Sequence, residues 1–124
     1  MNIKTDTKEK FTTITPEDEI LTANMTEELV SVLNRYLTKK PPHIILNLNA
    51  VVDMEEKIAQ TIMEQQQKFY DQNCSFVICC ISAPIEKLLD GLSILELLNT
   101  TPTESEAWDI VQMEEIEREL LGNE

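Results

Sequence analysis

Apolar and polar positions change period several times along the chain, and each change marks an element. Residues 8–15 (KEKFTTIT) are rich in threonine and alternate in part, as a half-buried strand does. The polar run PEDE that follows suits a tight turn before Ile20, Leu21 and Thr22, so an N-terminal hairpin is expected. Asn24 and Glu27 have the spacing of a capping box, and Leu29, Val32, Leu33, Tyr36 and Leu37 then recur at helical intervals. Lys39, Lys40, Pro41 and Pro42 end that helix, since proline lacks the amide hydrogen and restrains the residue before it.

Residues 44–48 are an apolar run of strand length, with Asn49 at the exit. From about Met54 the helical period returns, with Ile58, Ile62, Gln65 or Gln66, and Phe69 on one side and Met63 and Tyr70 beside them. Residues 75–81 are apolar at every position but the first, the mark of a strand covered on both faces. Ser82 or Pro84 opens the next helix, which carries Ile85, Leu88, Leu89 and Leu92 inward. Periodicity leaves residues 93–101 open between a short helix and a helix running into a strand. Thr103 with Glu106 forms a second capping box, and Ala107, Ile110, Val111 and Met113 are the expected inward positions of a last helix. Four glutamates and one arginine at positions 114–119 predict a solvated tail. Strands alternating with helices argue for an α/β domain with at least two neighbouring parallel strands. A single domain is expected over residues 1–124, its core spanning about 8–113 and an acidic helical tail 114–124.

Charge narrows the partners. Against 10 Lys plus Arg stand 23 Asp plus Glu, a formal net charge of −13, which repels nucleic acid and anionic lipid alike. No apolar run approaches the ~20 residues that cross a bilayer, and the polar N-terminus does not suit a signal peptide, so the expected location is the cytoplasm. Cys74, Cys79 and Cys80 suit neither a disulfide framework nor a zinc site and read as small buried side chains. Candidate catalysis is thin. The sole histidine, His43, stands beside a proline pair, the two glycines are too far apart for a phosphate loop, and no nucleophile elbow or zinc-protease motif occurs. Glu55 with Glu56 and Glu114 with Glu115 are adjacent acids whose side chains diverge on a helix, which suits a solvated surface better than a cation site. No catalytic residue, metal or cofactor is expected.

Three consecutive stretches resemble the STAS domain family, whose bacterial members include anti-sigma-factor antagonists. Residues 46–51 (LNLNAV) are similar to the family's strand and exit, residues 75–84 to its next central strand and the Ser-Pro helix start, and residues 85–98 with Glu106 and Ala107 to its closing helices. With the helix of residues 24–37 the resemblance covers roughly residues 8–113. It implies a mixed sheet of about four or five strands with four or five α-helices. It also implies a non-enzymatic regulatory role, with an anti-sigma factor or a similar kinase-fold regulator as partner and a homodimer as a further state.

In the family's antagonists an Asp-Ser-Ser-Gly segment follows the first of those strands, and phosphorylation of its first serine abolishes partner binding. The corresponding segment here is residues 53–58 (DMEEKI). Ungapped matching sets Glu55 on the aspartate, Glu56 on the phosphorylated serine and Lys57 on the second serine; matching Asp53 to the aspartate sets Met54 on that serine. Neither register leaves a hydroxyl, so the usual kinase reaction has no acceptor there. Glu56 then reads either as a fixed imitation of the phosphorylated state or as an acid suited to a helix start. The partner-binding candidates implied are Asp53, Met54, Glu55, Glu56, Lys57 and Thr61, the last being, with Ser82, a hydroxyl nearby that regulation can use. The competing readings are a ligand sensor or enzyme with a crevice at the strand ends and a structural subunit of a larger regulatory complex.

Overall fold

The computed structural model describes residues 1–121. Its centre is a five-stranded sheet, β1 (Ile3–Thr7), β2 (Thr12–Pro16), β4 (Ile44–Asn47), β6 (Phe76–Cys79) and β7 (Thr100–Thr101), which lie side by side in that order. β1 pairs antiparallel with β2, and every later neighbour is parallel. Strand alternation explains the two-sided apolar runs. Ile44, Leu46, Phe76 and Ile78 face one layer and Ile45, Val77 and Cys79 the other. The first layer is built by α1 (Thr26–Asn34), α2 (Glu56–Asp71) and α3 (Ala83–Gly91), through Leu29, Leu33, Ile58, Ile62, Phe69, Ile85 and Leu89. The second is α4 (Glu104–Leu120), which sets Ala107 and Val111 against the sheet beside Phe11. The mixed α/β architecture expected from the pattern is present, with five strands in the main sheet and four α-helices among the described residues.

Several local expectations are corrected. The hairpin exists, but it joins β1 to β2 through residues 8–11, and the PEDE run instead leads to β3 (Ile20–Leu21). β3 pairs in parallel with β5 (Asp53–Met54), a two-residue ladder outside the main sheet. The Asn24 capping box does not form. Residues Ala23–Met25 make a 3-10 turn, Asn24 Oδ1 accepts from the Thr22 hydroxyl, and Thr26 Oγ1 donates to the Ala23 carbonyl at 2.7 Å. The open stretch resolves into a 3-10 turn, Leu95–Leu97, followed by β7. Leu88 and Leu92 do pack inward against the core, though only half-buried, whereas Cys80, expected buried, is half-exposed where Cys74 and Cys79 are buried.

The last helix departs most from its reading. Its cap forms as expected, with Thr103 Oγ1 accepting from the Glu106 amide at 3.1 Å. Met113, however, is 59% exposed, and the glutamates beyond it are not all solvated. Glu114 accepts from the Tyr70 hydroxyl at 2.8 Å and from Ser75 Oγ at 2.6 Å, while Arg118 Nη2 donates to the same Ser75 oxygen at 2.9 Å. At the other end Glu104 accepts from Thr13 Oγ1 at 3.3 Å and Asn47 Nδ2 at 3.2 Å. The helix is therefore pinned to the sheet at both ends by carboxylates whose donors lie far away in sequence. Residues 122–124, the end of the expected tail, lie outside the described residues.

Candidate partner-binding face

The chain leaves β4 through Leu48, turns with Val51 N–H donating to the Leu48 carbonyl at 3.1 Å, and enters β5. Glu19 fixes the path, its carbonyl accepting from the amides of Val52 at 2.8 Å and Asp53 at 3.2 Å. Asp53 Oδ1 accepts from the Met54 amide at 2.9 Å, and the Glu55 amide donates to the Leu21 carbonyl at 2.9 Å. Extended Glu55 stands at the cap position of α2, and its carboxylate accepts from the Ala23 amide, tying the start of α2 to the 3-10 turn before α1. Glu56 opens the helix, exposed, with Gln60 Nε2 donating to its carboxylate at 3.0 Å. There the helix dipole favours negative charge.

The six candidates therefore divide. Asp53, Glu55, Glu56 and Lys57 are exposed around the start of α2. Met54 is 3% exposed and belongs to the core, and Thr61 is buried, its hydroxyl donating to the Lys57 carbonyl at 2.9 Å. Both support the face from below. Ser82 Oγ is likewise engaged, donating to the Val51 carbonyl at 3.1 Å and accepting from the Ile85 amide at 3.4 Å.

Two apolar members were missing from the sequence reading. Ile20 is 49% exposed and Val52 48%, and the β3–β5 ladder sets Ile20 against Asp53. Exposed apolar side chains ringed by charge have the anatomy of a protein interface, an apolar centre inside a polar rim. The signal was present in the sequence as Ile20-Leu21, but nothing local told which of the pair faces outward. Among the described residues no group of three or more His, Cys, Asp or Glu is placed to hold a metal ion, and no helix is long and apolar enough to cross a membrane.

Fold and face together define a small α/β domain that exposes an acidic helix start beside an apolar ladder. A family model described as the STAS domain matches residues 2–107, and the chain belongs to that family. Among solved structures it is similar to protein TM1081 of Thermotoga maritima, with 17% identity, 89% of this chain and 94% of that one covered, and a TM-score of 0.78. An anti-sigma-factor antagonist (STAS) domain protein of Planctomyces limnophilus shares 18% identity over 89% of this chain and 97% of its own, with a TM-score of 0.75. The Bacillus cell fate determinant SpoIIAA in its phosphorylated form shares 13% over 89% and 99%, with a TM-score of 0.64. No curated protein sequence matches the chain.

Proposed function

We propose that this chain is a non-enzymatic regulatory module that docks an anti-sigma factor, or a regulator of similar kinase fold, through Ile20, Val52, Asp53, Glu55, Glu56 and Lys57. Met54 and Thr61 position that face from beneath. The carrying observation is the exposure of Ile20 and Val52 next to four acidic or basic side chains at the start of α2, the segment that the STAS resemblance assigns to partner contact. Ungapped matching is the register adopted, since it sets exposed Glu56 on the regulated position and leaves buried Met54 off it. Without a hydroxyl at residues 53–58 the module works without the serine switch, and its acids serve docking and the helix start. Its proposed setting follows from the regulator: the bacterial cytoplasm.

Hydrogen exchange on a complex with the anti-sigma factor encoded in the same organism tests this reading. Slowed exchange is expected in the amides of residues 19–25 and 52–60. Protection confined to α4 or to β1 would overturn it.

A further inference from the structure

A cavity of about 630 Å³ opens at the amino ends of the parallel strands, the pole of the sheet opposite to the start of α2. Lys10, Lys39, Lys40 and Arg118 line it, with Glu9 and Glu115 as the acidic members. In a chain of 10 Lys plus Arg against 23 Asp plus Glu, a lining of four cations and two carboxylates inverts the overall balance. The gathered cations repel one another unless a counter-charge joins them. Glu115 is already engaged: its carboxylate meets His43 Nε2 at 3.2 Å and Lys10 Nζ at 3.9 Å. His43 is itself occupied, Nδ1 accepting from the Ser75 amide at 2.9 Å, which assigns the remaining hydrogen to Nε2, facing Glu115.

Arg118 supplies the second, independent observation. Nη2 donates to Ser75, whereas Nη1 is buried and has no acceptor among the described residues. A buried guanidinium N–H without an acceptor is costly, and the guanidinium fork matches the oxygens of phosphate in geometry and charge. Leu37, Pro41 and Pro42 add apolar wall beside these cations, suited to the uncharged part of a ligand.

We propose that this cavity binds a small phosphate-bearing molecule, its phosphate held by Arg118 with Lys39 and Lys40. Two cations in excess of the carboxylates answer the charge of roughly −1.5 to −2 that a phosphate monoester carries near pH 7. The site stands at the far end of the sheet from the docking face, so it does not depend on the identity of the protein partner.

The test is a titration of isotope-labelled protein with phenyl phosphate at fixed ionic strength, followed through backbone amide shifts. Saturable shifts are expected at His43, Asn73, Cys74 and Arg118, with Asp53 and Glu56 unmoved. Lys39→Gln combined with Lys40→Gln, both at exposed positions, should leave the fold intact and weaken binding by about fivefold per lysine. Arg118→Lys keeps the charge, loses the fork and should weaken it as well. Citrate at the same ionic strength is the carboxylate control and should bind less tightly. Absence of saturable shifts, unchanged affinity in the double lysine variant, or citrate binding as tightly as phenyl phosphate would overturn the proposal.

Discussion

Ile78 shows how much one position decides. It is fully buried in the middle of β6, with β4 on one side and β7 on the other. A carboxylate there has no partner, so Ile78→Asp should cost several kcal/mol, a large part of the ~5–15 kcal/mol that holds a domain of this size together. Far-ultraviolet circular dichroism in a urea series reads it, and a variant with wild-type midpoint would contradict the core assignment. His43 makes a second residue-scale prediction. Burial holds its ring below the ordinary histidine pKa, against the raising influence of Glu115. The unfolded chain therefore takes up the proton first, so the stability contributed by neutral His43 is intact above pH ~6.5 and is lost as pH falls below it. Urea midpoints from pH 7.5 to 5.5 should decline for the wild type and less for His43→Gln. Parallel slopes would show that His43 does not carry the effect.

At the scale of elements, the two capping boxes in the sequence had different fates. Thr103 caps α4 with its side chain, whereas Asn24 faces Thr22 and leaves α1 to follow a 3-10 turn. Thr103→Ala should therefore cost about 1 kcal/mol, and Asn24→Ala, exposed and off the cap, at most about 0.5 kcal/mol. Equal losses in thermal unfolding would contradict the difference. The Asn24 side chain is taken instead by the Thr22 hydroxyl, and the turn before α1 is tied to α2 by Glu55, 32 residues on from the Ala23 amide whose hydrogen it accepts, a partner to which a local spacing rule has no access.

The same distinction separates what the sequence made legible from what it did not. Period alone located β4, β6, α2 and α3 because their apolar residues face a core through regular backbone geometry. It misplaced the hairpin turn, since it ran KEKF into the strand of residues 8–15, and only the pairing of β1 with β2, Ile3 opposite Pro16, sets the turn at residues 8–11. It took Met113 as inward and Glu114 as solvated, because the donors that hold Glu114, Tyr70 and Ser75, come from the ends of α2 and β6. Within the candidate face, the acids and Lys57 were readable from the family pattern, but the burial of Met54 and the exposure of Ile20 come with the β3–β5 ladder, a pairing of two residues on each side, Val52 is exposed just before it, and Thr61 is buried on the inner side of α2.

In the whole molecule, the proposed docking face and the proposed phosphate site lie at opposite ends of the sheet. α4 spans one face of the sheet between them, held by Glu104 near one end and by Glu114 and Arg118 near the other. A net charge of −13 gives the molecule a negative field, which speeds encounter with a basic partner surface and weakens as salt screens it over ~8–10 Å. The most direct measurement of the central claim is a calorimetric titration of wild type, Glu56→Lys and Glu56→Ser against the anti-sigma factor of the same organism, at two salt concentrations and with and without ATP. The account predicts affinity weakened by about fivefold in Glu56→Lys with an unchanged thermal midpoint, a smaller loss in Glu56→Ser, and no effect of ATP on the wild type. Binding that is alike in all three proteins, absent from all three, or tighter in Glu56→Ser than in the wild type would contradict it.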